Sequence, residues 1–285
     1  MRSRRTFLAA MGAAAYAARA GLASAQPPAL PLDNLGLEHL DIVVPDPAAS
    51  AKFYARIFKT ALHQQPVRDA LRYFVLLGDL PADRQVGYIA IGAAAGRPPS
   101  IGHYCTLART YDRAAMARSL EAAGFSGIRG AGGLGMWPDP DGLELQLFQP
   151  PAGLVTAAVP SPLPIDGEGG VTPIGVDHVL LHVSDLERSL PYYRLVYGAQ
   201  AEGPRNEDGR VWFRLERNTR IGLLKTPAGQ TPRIAHVAIK VAAFDRGAIT
   251  ARLRQLGATV VPSPEEPDVL RFLDIDGIAV ELRVV

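Results

Sequence analysis

Two imidazoles recur at matched points in the two halves of this chain, each pair with a carboxylate near the matching third place, and such a set can hold a divalent ion. In the second half the set is His178, His236 and Glu281. In the first half His39 and His103 take the histidine places, Gln146 stands four residues after Gly142 as Glu281 stands four after Gly277, and Glu144 lies two residues before Gln146. Two histidines and an acid on one face of a metal leave open positions, which suits Fe(II) or a similar ion that must bind substrate or oxygen directly. Glu144 and Gln146 share one side of a strand, about 7 Å apart. Either Glu144 reaches the ion through a shifted register, or Gln146 offers a neutral amide oxygen. His182 shares a strand face with His178, where it is a general base for the cavity or a packing histidine.

Ligands so distant in sequence need a scaffold that returns them to one point, and the chain carries that scaffold twice. Gly36–Val44 reads as a copy of Gly175–Val183 at an offset of 139 residues, and Ile101–Tyr104 as a copy of Ile234–Val237 at 133. Asp139-Pro140-Asp141-Gly142 and Asp274-Ile275-Asp276-Gly277 match at 135. This period exceeds that of solenoids, so what repeats is a whole folding unit. Residues 37–44 alternate as a strand, and Asp46-Pro47 then starts a helix with Phe53, Tyr54, Ile57 and Phe58 on one face. Ser184-Asp185-Leu186-Glu187 has the form of a capping box, followed by Tyr192, Tyr193, Val196 and Tyr197. Short β-like runs follow near 61–65, 71–77 and 86–91, and near 199–202, 210–215 and 220–225. Each half then repeats the order, with helices opened by Asp112 and Asp245 and stopped by Gly124 and Gly257. The pattern predicts an α+β protein of four βαβββ modules, two in each of the domains 34–150 and 174–285. Residues 151–173, rich in proline and glycine, read as a linker unable to maintain helix or ladder.

The N-terminus reads as an address. Ser3-Arg4-Arg5-Thr6-Phe7-Leu8 matches a twin-arginine export motif, an alanine-rich run follows, and Ala23-Ser24-Ala25 offers a cleavage site, so residues 1–25 are expected to be removed. Loss of the leader's four arginines takes the net charge from +2 to −2, which argues against a nucleic-acid surface. No apolar run in the mature chain is long enough to span a bilayer, so a periplasmic or secreted protein acting on a small molecule is expected. The single cysteine, Cys105, excludes an internal disulfide and reads as a small buried hydrophobe beside His103. Trp212, Phe213 and Arg214, with Tyr73 and Phe74, are expected to line or cover the cavities. Arg214 and Lys240 read as solvated surface or as anchors for an anionic group. His63 has no assigned role.

With its histidines opening matched strands, its histidines at the module junctions and its D-x-D-G turns before the acidic strands, the chain resembles the vicinal oxygen chelate superfamily over nearly all of 34–285. That superfamily includes glyoxalase I, bleomycin-resistance proteins and extradiol dioxygenases. The resemblance implies paired glyoxalase/bleomycin-resistance/dioxygenase-like domains and a divalent metal, Fe(II) or Mn(II), on His178, His236 and Glu281. It also extends to His39 and His103 with Glu144 or Gln146. Four modules in one chain match the extradiol dioxygenases. Two departures stand against the best-known chemistries. The fourth ligand of glyoxalase I has no acid at its place, near 86–91 or 221–225. The tyrosine that extradiol enzymes carry before the metal glutamate is absent, with Arg271 and Phe272 near its position and Met136 and Trp137 near the equivalent one. The expected activity is therefore dioxygenase-like or isomerase/lyase chemistry on a chelated substrate. The competing expectation is a metal-free sequestering protein of the bleomycin-resistance type.

Overall fold

The structure is a computed structural model that describes residues 30–67, 69–80, 85–127, 135–150, 159–167, 169–262 and 266–285. The expected export leader lies outside the described residues.

Alternation within the first strand of each half sets the architecture. In β1 (Asn34–Val44) the side chains of Leu40, Ile42 and Val44 enter the main hydrophobic core, while His39, Asp41 and Val43 face a cavity on the other side. In β9 (Pro173–Val183) Val179, Leu181 and Val183 enter the core, leaving His178, Leu180 and His182 on the opposite face. The first half continues through α1 (Pro47–Ile57), β2 (Leu62–Val67), β3 (Ala70–Leu80) and β4 (Gln85–Ala93), a complete βαβββ module. Its second module runs β5 (Ser100–Ala108), α2 (Arg113–Ala122), β6 (Met136–Pro138) and β7 (Glu144–Phe148). After β8 (Val159–Pro160) and β9, the second half runs α3 (Leu186–Tyr197), β10 (Val211–Leu215) and β11 (Thr219–Lys225). It ends with β12 (Arg233–Val241), α4 (Arg246–Gln255), β13 (Thr259–Val261), β14 (Val269–Leu273) and β15 (Ala279–Val284).

The two halves pair their strands alike. β1 lies parallel to β4 and antiparallel to β5, and β5 parallel to β7. β9 lies parallel to β11 and antiparallel to β12, and β12 parallel to β15. The histidine-bearing strands are thus the central pair of each half, and the sheets join where Ile101 of β5 bridges Ile234 of β12.

Three local expectations need correction. The strand expected near 199–202 is a 3-10 turn, Ala199–Ala201, with one bridge from Glu202 to Phe213. The cap of α3 is Asp185, which accepts from the backbone of Glu187 and Arg188; Ser184 bonds Asp141 of the other half instead. The proline-rich connection does form ladder, since Val159 and Pro160 add to β2 as an edge strand and Val171 bridges Phe58. Proline is tolerated there because an edge strand leaves one row of N–H groups unused. Gly169 is required in that segment, because a Cβ would stand 2.1 Å from the carbonyl of Phe58.

The repeated D-x-D-G turns are structural. Asp139 Oδ1 accepts from the amides of Asp141 and Leu143, both at 2.8 Å, and Asp274 Oδ1 accepts from Asp276 and Ile278 at 2.9 and 2.8 Å. Gly142 and Gly277 take the positive φ that closes each turn. Each turn is then pinned by a helix of the opposite half: Tyr193 of α3 donates to Asp139 at 3.0 Å, and Tyr54 of α1 donates to Asp274 at 2.7 Å. Ser50 bonds Asp276 and Arg188 bonds Asp141 in the same reciprocal manner. The turns thereby fix where β7 and β15 begin, and with them Gln146 and Glu281. Tyr193→Phe leaves the buried Asp139 carboxylate short of a donor, and urea denaturation should show a loss of about 1–3 kcal/mol.

Candidate metal centre

In the second half β9, β12 and β15 bring His178, His236 and Glu281 together. One donor atom from each lies within 4.8 Å of the others. The Nε2 atoms of His178 and His236 are 2.9 Å apart, close to the spacing of about 3 Å that two cis nitrogens take on an ion with bonds near 2.1 Å. Burial lowers the basicity of His178, and lowers that of His236 further with help from His178, Arg210 and Arg271. Both rings are therefore neutral near pH 7, with lone pairs available. Asp177 accepts from His178 Nδ1 at 2.6 Å, which fixes the tautomer that turns Nε2 toward the centre. Arg220 in turn holds Asp177 at 2.9 Å and stacks over Trp212, whose ring meets His178 edge-on at 4.9 Å.

Glu281 is buried, and both carboxylate oxygens are matched by cations: Arg271 on Oε2 at 2.9 Å and Arg283 on Oε1 at 2.8 Å. Arg271 lies directly across the ladder from Glu281, so its guanidinium meets the ligand carboxylate from the neighbouring strand. The donor set of two neutral imidazoles and a carboxylate flanked by two guanidinium groups fits a divalent ion.

The first half builds the same frame with a different third member. His39 and His103 bring their Nε2 atoms to 3.2 Å, and Glu38 braces His39 Nδ1 at 2.8 Å as Asp177 braces His178. Register distinguishes the two candidates for the third place. Gln146 pairs with Cys105, two beyond His103, as Glu281 pairs with Ala238, two beyond His236. Gln146 is therefore the counterpart of Glu281 and hydrogen-bonds the His103 ring. Glu144 pairs with His103 itself, and its carboxylate joins no close donor cluster with the two histidines among the described residues. The strand repeat keeps it one step short of the place that Glu281 takes in the second half. The close cluster here is Glu38, His39 and Cys105, but burial and Glu38 push the Cys105 thiol well up, so it stays protonated and is a poor metal ligand. His39, His103, Glu144 and Gln146 line a cavity of about 570 Å³ with Arg72, Phe74 and Tyr88 among its walls. Tyr88, which pairs with His39 in the ladder, stacks on its ring at 4.3 Å; Arg220 takes the matched place opposite His178 in the second half.

Strand alternation divides the aromatic candidates. Phe74 and Trp212 face the cups, whereas Tyr73 and Phe213 are buried in the core and Arg214 is exposed. Lys240 donates to the carbonyl of Arg217 at 2.6 Å. His182 is half-buried near Arg233 and Arg210, which with burial lower its basicity. His63 lies in β2 opposite Phe74 and Pro160 and is not among the residues lining the first cavity. The bracing acids Glu38 and Asp177 were not foreseen, although each immediately precedes a candidate ligand in the sequence. Of the arginines on Glu281, Arg271 is visible in the sequence only as a residue near a missing tyrosine, and Arg283 carries no signal there.

The fold defines a class. The chain has the paired-module fold seen in solved structures of a glyoxalase and of extradiol dioxygenases. It is similar to the 2,3-dioxygenase LapB from Pseudomonas sp. KL28, with a TM-score of 0.65, 15% identity and coverage of 90% of this chain and 93% of that one. It is similar also to the Mn(II)-bound glyoxalase from Novosphingobium aromaticivorans, with a TM-score of 0.60, 18% identity and coverage of 89% and 83%. A catechol 2,3-dioxygenase superposes with a TM-score of 0.62 at 17% identity, covering 89% of each chain. No sequence-family model matches the chain, and no curated protein matches it by sequence.

Proposed function

We propose that this protein is an exported metal-dependent enzyme that acts on a small molecule through two adjacent oxygens, with its centre in the second half. The observation that carries this reading is the meeting of His178, His236 and Glu281, with neutral imidazoles 2.9 Å apart and a bracing acid behind the first of them. A divalent ion held there, Fe(II) or Mn(II), would supply a Lewis acid with open positions for both substrate oxygens. The chain's own residues divide the remaining work. Asp177 keeps the His178 ring oriented, and Trp212 walls the cup and keeps water from one side of it. His182, neutral near pH 7, is the candidate to take up a proton at Nε2 from a chelated hydroxyl or an activated carbon. The likeness to a glyoxalase and to ring-cleaving dioxygenases supports either isomerase/lyase or dioxygenase-like chemistry, and the absence of acid in 86–91 and 221–225 weighs against glyoxalase I itself. Export through the twin-arginine route, which carries folded proteins, suits a site loaded before translocation.

A metal-free sequestering protein is the second reading, favoured by one observation: the first half encloses a cavity of about 570 Å³ whose third metal position is the amide Gln146. Elemental analysis of the purified mature protein separates the two. The enzyme reading expects about one divalent ion per chain, lost in His236→Ala. A sub-stoichiometric metal content unchanged by that substitution would support sequestration.

A further inference from the structure

The two cups differ at one matched place, and the first shows what the second lacks. Asp41 lies across from His103 and beside Ala90; Leu180 lies across from His236 and beside Gly222. Phe74 pairs with Ala90 as Trp212 pairs with Gly222, so Arg72 and Arg210, each two residues earlier, are equivalent as well. In the first cup Arg72 forms an ion pair with the buried carboxylate of Asp41, whose Oδ2 also stands 3.5 Å from His103 Nδ1. The backbone is shaped for that pair. A Cβ on Gly92 would stand 2.9 Å from the Arg72 guanidinium, and one on Gly102 would stand 3.0 Å from Asp41 Oδ2.

In the second cup the arginine is kept and the carboxylate is replaced by Leu180. Arg210 reaches only the half-exposed Asp208 of its own turn, at 2.9 Å, among the described acids, and its Nε is buried with no hydrogen-bond partner. His182, which replaces Val43, likewise has a buried Nδ1 with no partner. Arg210 lies over the Trp212 ring that meets His178, and His182 shares a strand face with His178, so both border the proposed centre. Arg210 Nε is a donor, and so is His182 Nδ1 in the tautomer that leaves Nε2 free; two such buried donors left unsatisfied beside a site are costly unless a ligand accepts from them.

We propose that the second cup binds a substrate carrying a carboxylate, which Arg210 and His182 Nδ1 hold at the place the first cup fills with its own Asp41. The substrate class is then a small carboxylic acid that also bears two adjacent oxygen functions. Guanidinium and imidazole N–H groups donate to the carboxylate, while the adjacent oxygens are left to face His178, His236 and Glu281. This rests on the reading of the second cup as the substrate cup.

The test uses a matched pair, 3,4-dihydroxybenzoate and its uncharged amide, titrated calorimetrically into the full mature protein loaded with Mn(II). The acid is expected to bind at least about tenfold more tightly than the amide, as a charge-assisted contact provides. Arg210→Met should bring the two to parity while the amide's affinity stays within about twofold. No measurable preference for the acid in the wild type, or a preference that persists in Arg210→Met, overturns the proposal. Metal content, measured separately, isolates the underlying reading. A metal-free protein that still selects the acid through Arg210 keeps this subsite and removes the metal centre. A metal-loaded protein indifferent to the acid does the reverse.

Discussion

Glu281→Gln should strip the second cup of its ion, lowering apparent metal affinity by about 100-fold or more and abolishing metal-induced thermal stabilisation. The effect is chemical rather than steric. Gln keeps the volume and one acceptor oxygen but discards the charge that, with two neutral imidazoles, makes the set suitable for a divalent ion. Loss of a bracing residue behind a ligand alone costs about 10–100-fold in affinity, so loss of the charged ligand sets a larger effect. Arg271 and Arg283 make it larger still. Both point at Glu281 at 2.9 and 2.8 Å, and beside a neutral Gln they would leave uncompensated positive charge next to any incoming cation. Isothermal titration with Mn(II) gives the affinity, and the shift in Tm on adding metal gives an independent reading.

The reciprocal substitution, Gln146→Glu, should give the first cup an ion. Stoichiometry by elemental analysis is expected to rise from about one per chain to about two. The frame is already present: His39 and His103 Nε2 are 3.2 Å apart, Glu38 braces His39, and Gln146 stands in the register that Glu281 takes in the other half. Burial lowers the basicity of His103, with further help from His39 and Arg72, so its lone pair is available at neutral pH. What the first cup lacks is one negative charge at one position. An unchanged stoichiometry would mean that the Arg72–Asp41 pair or the Tyr88 ring, rather than Gln146, keeps that cup empty of metal.

The duplication and the order of elements were legible because residues 36–44 and 175–183 repeat both the histidine and the alternation that buries one side of each strand. The histidine pairs were legible for the same reason: a strand opening on histidine and a second at the module junction are position-specific, and backbone pairing makes those strands neighbours. The identity of the third group was not. Choosing between Glu144 and Gln146 needs the register of β7 against β5, a non-local property that a two-residue ambiguity on one strand face cannot reveal. The D-x-D-G turns were read as markers of the acidic strand, but their larger role is long-range. Tyr54 and Tyr193 looked like core residues on helix faces, and their hydroxyls instead tie each half to the other's turn. Proline in 151–173 suggested a free connection because sequence cannot show that an unpaired edge of β2 lies alongside. Asp177 and Glu38 escaped notice because alternation assigns neighbours to opposite faces; their hydrogen bonds to His178 and His39 run along strands whose pairing is interrupted by register shifts.

The most direct test is anomalous X-ray scattering from crystals of the mature protein grown with Mn(II). The account expects one strong peak in contact with His178 Nε2, His236 Nε2 and a carboxylate oxygen of Glu281, with Arg271 displaced from that oxygen. A peak confined to His39 and His103, or none in either cup from protein that retains its fold, would contradict it.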